Sequence, residues 1–366
     1  MSDAATYSAR STTSRQQRLL SPFEFWPGWL FYAPVIAQWI ALGLRYGDMS
    51  LPTAANPHIE TGGLCGESKA DIFGLGGKVA QEATAPWCRF DHDASAAESL
   101  ARAERAVAAA RLAYPLILKP DIGCNGAGVR LIPDLAALAR ALPDYPPGVR
   151  LVLQQFVPWE GEAGLFYVRL PHETQGRVTS LTLKEAPAVV GDGRSTLRSL
   201  ILADPRAGRV PQLYLPRLAG RLDEVPASGE RVRLVLAGNH CRGSIFRNGT
   251  PEITPALTAR VEAIARDIPE FHFGRFDVRF ESLAALRRGE NFKIIELNGA
   301  GSEPTHIWDA RTTLREAWVD QFVHYRAAWE IGRANRKRGH RASGLPAMYR
   351  AWRLQRRLMA SYPLND

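Results

Sequence analysis

The chain reads as an α+β protein, and three observations lead there. FGRFDVRF (273–280) and FKIIELN (292–298) alternate apolar and polar residues, the period of strands with one buried face, and a charged turn at 287–291 separates them. ESLARAERAVAAARLAY (98–114) and PALTARVEAIARDI (255–268) instead repeat at helical spacing, with Leu100, Val107 and Leu112, then Leu257, Val261, Ile264 and Ile268, near one face. LILKP (116–120) is a short apolar run that ends on a lysine and a glycine-rich loop, as a buried strand would.

At 366 residues the chain has room for two or three lobes, at roughly 100–200 residues per domain. Cys65, Cys88, Cys124 and Cys241 lie far apart with no C-x-x-C pair, which argues against a zinc site or disulfide framework and for a reducing, cytoplasmic setting. The net charge of +9 sits almost wholly in residues 331–366, where nine arginines and lysines face Asp366 alone. A body so close to neutral is not expected to bind nucleic acid.

In chain order, residues 1–20 are rich in Ser, Thr and Arg, lack the apolar core of a secretory signal, and read as a disordered lead. Residues 21–60 carry a Trp-rich hydrophobic segment. Its stretch 25–44 is about as long as a bilayer is thick, but Pro27, Gly28, Pro34 and Gln38 interrupt it. Trp26, Trp29, Trp39 and Tyr32 are interface-favouring residues. Three readings stand: a helix lying in a membrane interface, a helix packed on the protein body, and a spanning helix. Residues 50–72 form a Gly/Pro/Asn loop that runs into a helix opened by Lys69 or Lys78. After Lys119, the glycines from Asp121 to Gly128 would let backbone N–H groups approach phosphate. Residues 149–170 read as strand, hinge, strand. GDG (191–193) reads as a tight hairpin turn. The tail 331–366 places Met348, Trp352 and Met359 among arginines. It reads as a solvated terminal helix or as half of a surface anchor for an anionic membrane on its cytoplasmic face.

The richest stretch is 271–309. Asp277, Glu296 and Asn298 supply three oxygens from neighbouring strands, a set that suits Mg²⁺. Arg275 stands two residues before Asp277, hence on the same strand face, and a guanidinium there suits a charged transition state.

GRFD followed by IIELNGAGSEP resembles the metal-binding end of the ATP-grasp superfamily, most closely its D-alanine–D-alanine ligase and cyanophycin synthetase branches, and the likeness runs over residues 61–330 in family order. It implies an ATP-grasp fold, with two α+β lobes clasping ATP. It implies that two Mg²⁺ ions (or Mn²⁺) are held by Asp277, Glu296 and Asn298, and that Arg275 acts on the tetrahedral intermediate. Phosphate contacts fall on Lys69, with Lys78 the weaker candidate, and on Lys119, Gly123, Gly126 and Gly128. The hinge at Gln155 and Val157 corresponds to the adenine site, although glutamines stand where the family commonly has acidic residues. Glu162, with Glu160 as its neighbour, corresponds to the ribose ligand. APAVVGDGRSTL resembles the segment that closes over nucleotide, which points to Lys184 and Arg194. Asn239, Arg242, Gly299 and Ser302 fall where relatives bind substrate, while His306 reads as structural.

The reaction implied is activation of a carboxylate as an acyl phosphate, then attack by an amine. The substrates would be small molecules or lipid-linked. Two alternatives stay open, a kinase that phosphorylates a hydroxyl and a non-catalytic membrane-bound scaffold, as does a homodimer.

Overall fold

The computed structural model describes residues 19–93, 95–235, 238 and 243–363. The lead expected over 1–20 lies outside them except for its last two residues, and Asn239 and Arg242 lie outside them altogether.

Two antiparallel sheets organise the chain. The smaller contains β1 (Trp87–Asp91), β2 (Leu116–Pro120), β3 (Arg130–Ile132) and β4 (Arg150–Gln155) in the order β1-β4-β2-β3. Leu116, Leu118, Leu151 and Leu153 are fully buried against α4 (Ala96–Ala109) and α5 (Leu135–Ala141), each contributing about 1.5–3 kcal/mol by leaving water. Side-chain caps start both helices: Ser95 accepts from the Glu98 N–H and Asp134 from the Ala137 N–H. The first helix ends sooner than its apolar spacing predicts, because Arg111 takes a left-handed φ of 54° and breaks the ladder before Pro115.

The larger sheet runs β11-β10-β5-β6-β9, from β5 (Gly161–Val168), β6 (Arg177–Glu185), β9 (Ile245–Asn248), β10 (Phe273–Phe280) and β11 (Phe292–Asn298). One face buries Leu165, Tyr167, Leu181, Phe276 and Val278 against α7 (Pro255–Arg266). Part of the other packs Phe166 and Phe273 against Ala328 and Ile331 of α9 (Leu314–Lys337), which starts with a Thr313–Glu316 capping box. The mixed α+β class and the paired sheet-bearing lobes are as expected.

Two local details differ. The β10–β11 connection contains a short helix, α8 (Leu283–Arg287), because Ser282 caps the Ala285 N–H. GDG is no two-residue hairpin. The strand before it, β7 (Ala188–Val190), pairs with β8 (Arg231–Arg233), well along the chain. Asp192 accepts from the N–H groups of Arg194 and Ser195, and Thr196 caps α6 (Leu197–Ala203), so local side-chain bonds turn the chain into a helix.

The ends of the chain pack on this frame. Helix α1 (Gly28–Tyr46) lies along α9: Trp318 Nε1 donates to Phe31 O at 2.9 Å, Gln38 Nε2 to Phe322 O at 3.1 Å, and Trp39 meets Trp329 edge-on. Among the described residues no helix is long and apolar enough to cross a membrane. Residues 331–337 are the last turns of α9, with Ile331, Gly332 and Asn335 buried. Helix α2 (Lys69–Leu75) reaches β1 through Asp71 and Arg89, helix α3 (Lys78–Ala83) packs Ala80 and Ala83 into the core of the large sheet, and α10 (Leu345–Met359) closes the described chain.

Candidate active site

A cleft of ≈ 570 Å³ opens between the two sheets, within the range of small-molecule sites. Its walls are built differently.

The strand wall follows from register. Antiparallel pairing sets Asp277 opposite Glu296 and Arg275 opposite Asn298, so all four side chains share one face. Gly164 lies beneath them on β5: a Cβ there would stand 3.1 Å from Arg275 Cδ and 3.2 Å from Asp277 Oδ1, close enough to push the pair by a few tenths of an ångström. Arg275 grips Asp277 with two bonds, Nε to Oδ1 at 2.9 Å and the second guanidinium nitrogen to Oδ2 at 3.0 Å. Lys184 Nζ lies 3.0 Å from Asp277 Oδ1 and 3.2 Å from Glu162 Oε1. Asn298 Nδ2 donates to Asp277 Oδ2 at 3.2 Å. Burial alone would raise the Asp277 carboxyl, but Arg275, then Lys184, hold it down to about 2. Lys184 is likewise kept charged: burial works against it, and Asp277 and Glu162 outweigh burial.

The loop wall carries the other cations. Lys119, at the end of β2, is buried and donates to two neutral acceptors, Gln154 Oε1 and Ile295 O, each at 2.8 Å. Burial therefore wins and lowers its pKa to about 8. Lys69 starts α2 and reaches Gly123 O at 2.5 Å and Glu296 Oε1 at 3.4 Å. Gly123 and Gly126 line the cleft, together with Gln155, Val157, Glu162 and Ser302.

Several expected residues stand elsewhere. Arg194 is exposed and off the cleft wall, since Asp192 binds its backbone and turns the loop outward. Gly128 has a packing role: Tyr145 OH donates to its carbonyl at 2.7 Å, and a Cβ would meet Pro120 at 2.9 Å. Gly299 is a spacer, its Cα facing Gly62 and Gly63 where two glycine turns meet and Ala300 N–H donates to Gly62 O. Lys78 is exposed and pairs with Glu82 at 4.0 Å. Of the two hinge glutamates, Glu162 lines the cleft while Glu160 is exposed. Gln155 spends its side chain on Ala113 and Pro115, and the Val157 carbonyl accepts from Arg279. His306 is a buried strut between Ser180 and Asp320.

The cleft also holds residues with no motif of their own. Glu67 is lowered into it with Oε2 buried and unpartnered, and burial raises its pKa. Glu303 accepts from Tyr32 OH at 2.8 Å, Gln321 Nε2 at 2.7 Å and Trp308 Nε1 at 2.8 Å, and its carbonyl accepts from Arg275 at 3.2 Å. Trp352 and Gln355 come from α10, which straddles the mouth. On one side Gln355 Oε1 accepts from Gly66 N at 3.2 Å; on the other Tyr362 OH donates to Ile122 O at 2.8 Å and Met359 touches Cys124. Glu303 falls inside the GAGSEP stretch and Trp352 reads only as part of a surface helix, whereas Glu67 has no signal beyond adjacency to Lys69 and Gln355 has none.

The donor set of Asp277, Glu296 and Asn298 is all oxygen and shared by two adjacent strands, which fits magnesium. Coordination would require both carboxylates to exchange their present cationic partners for the metal.

No family model matches the chain, and no curated protein matches it. Solved structures similar to it include a bifunctional glutathione synthetase from Pasteurella multocida (18% identity, 67% of this chain and 35% of that one, TM-score 0.34). Others are the VanG D-Ala:D-Ser ligase from Enterococcus faecalis (13%, 70% and 61%, TM-score 0.39) and the D-alanine–D-alanine ligase from Bacillus anthracis (11%, 76% and 69%, TM-score 0.37). The chain thus spans 35% and 61% of the length of the first two. Likeness of this degree assigns neither substrate nor reaction, and the chemistry rests on the cleft itself.

Proposed function

We propose that the cleft binds ATP with magnesium, activates a carboxylate as an acyl phosphate and joins it to an amine. The observation that carries this reading is convergence: Lys69, Lys119 and the Gly123–Gly126 loop meet Arg275, Asp277, Glu296 and Asn298 across one cavity. In this reading a carboxylate oxygen attacks the terminal phosphorus and ADP leaves. The amine nitrogen then attacks the acyl carbon, and the carbon–oxygen bond to phosphate breaks.

Lys119 and Lys69 would neutralise phosphate oxygens, Lys119 gaining a charged partner in place of two neutral ones. Glu162 stands where ribose hydroxyls could be held, steadied by Lys184. Arg275, released by Asp277 as the metal binds and still held by the Glu303 carbonyl, would face the tetrahedral oxyanion. Magnesium held by Asp277, Glu296 and Asn298 would spread charge on the phosphates. The acceptor side, lined by Tyr32, Leu64, Tyr325 and Trp352, is apolar enough to suit an amphiphilic or lipid-linked substrate.

The test is Mg·ATP turnover by the purified chain with aqueous and lipid fractions of a cell extract, hydroxylamine as trap and Asp277→Ala as control. ADP plus a hydroxamate, both absent from the control, is the expected result. ADP with a phosphorylated hydroxyl and no hydroxamate would mean a kinase, and no ADP a non-catalytic scaffold.

A further inference from the structure

Helix α1 has two apolar faces, and the packing on α9 uses only one. Phe31, Val35 and Leu42 point inward. Outward stand Trp29 and Leu44, 73% and 74% exposed, with Ile36 and Ile40 about half exposed and Ala33 and Ala37 between them. Phe25 and Trp26, just before the helix, are exposed as well. No charged residue occurs from Phe25 to Leu44. On α9, Val319 and Val323 follow the seam residues Trp318 and Phe322 and are also exposed. An exposed apolar stripe of this extent along α1, with two more exposed valines on the helix it packs against, marks a contact surface.

The charges around the ridge select its partner. The sequence entering α1 carries Arg10, Arg15 and Arg18 against Asp3 and Glu24, the last of which is paired with Arg206. The far end has Arg45, Arg333, Arg336 and Lys337 exposed, with Asp48 paired to Arg336. Along the exposed side of α9, Arg315 and Arg326 stand near Glu316 and Asp320. A second copy seated on this ridge would bring basic ends to basic ends, whereas an anionic lipid surface complements them. Tryptophan beside an apolar stripe is also what lipid–water interfaces favour.

We propose that the outer face of α1, with Val319 and Val323, docks on an anionic lipid surface, the helix lying in the interfacial plane. The inner side of the same helix contributes Tyr32 to the cleft, so a docked chain holds its cleft at the lipid surface. The proposal is independent of the ligase reading, because its test involves neither nucleotide nor turnover.

The experiment is flotation of the full chain with phosphatidylcholine vesicles, with and without phosphatidylglycerol, at low and high salt. Binding to the anionic vesicles that weakens with salt is expected. The double variant Ile36→Glu/Ile40→Glu, and separately Trp29→Ser, should each bind at least about tenfold more weakly while still melting cooperatively close to the parent, since the replaced side chains are about half or more exposed. Equal binding to neutral and anionic vesicles would overturn the proposal, as would variants that float like the parent. So would no binding together with a dimer by light scattering that Ile36→Glu/Ile40→Glu dissociates, which would assign the ridge to a second copy.

Discussion

The two walls of the cleft hold similar charges in opposite states. On the strand wall every charge is already answered: Asp277 by Arg275 and Lys184, Lys184 by Glu162 as well. On the loop wall Lys119 is buried with only neutral acceptors, and Gly126, at φ 69°, shapes a backbone that only glycine adopts easily. The strand wall is therefore paired within itself, and in the proposed reaction it would have to exchange those partners for the metal. The loop wall stores a desolvated cation that an incoming anion relieves.

The sharpest way to break this comparison is Asp277→Asn. It leaves Arg275 and Lys184 buried beside a neutral amide, so it should cost about 3–5 kcal/mol of stability and abolish turnover, read by thermal melt and the hydroxamate assay. Lys119→Met on the opposite wall should do the reverse. Nucleotide affinity should fall by about tenfold or more in calorimetry, while the melting temperature holds or rises because a buried charge is removed. A melt that drops as far as that of Asp277→Asn would erase the distinction.

The same lysine predicts a pH dependence. With its folded pKa lowered to about 8, Lys119 holds fewer protons than in the unfolded chain from there up to its ordinary value of about 10.4, so the free protein gains stability as pH rises through that window. Nucleotide phosphate favours the charged form. Affinity should therefore weaken above about pH 8, with proton uptake on binding, and Lys119→Met should flatten the profile. Gln355→Leu removes one acceptor at the Gly66 N–H, worth about 1 kcal/mol, and should raise the KM for ATP a few-fold with kcat near the parent value. Arg194→Ala, outside both walls, should change neither rate nor melt measurably.

What the sequence revealed divides along the same line. Strand period two places Arg275 and Asp277 on one face, and the pairing of β10 with β11 brings Glu296 and Asn298 beside them, so the strand wall is legible from local pattern. On the loop wall Lys69, Lys119, Gly123 and Gly126 are legible as well, but the cover that α10 lays over them depends on distant docking. Gln355 reaches Gly66, and Tyr362 reaches Ile122, through contacts that leave no periodicity, while the arginines of α10 suggest a surface helix. Arg194 misled for the converse reason: the motif around it is intact, but Asp192 and Thr196 redirect the loop. Glu67 and Glu303 are ordinary polar residues in glycine-rich loops until the fold buries them.

The seam between α1 and α9 bears on how the chain is made. Phe31 meets Trp318 across 287 residues, and at ribosomal speeds of about 5–20 residues per second that partner emerges roughly 15–60 s later. Throughout that interval the inner apolar face of α1 lacks its partner while the outer one stands exposed beside it. A lipid surface that shields it over that interval would, under the docking proposal, be the same surface on which the finished protein sits.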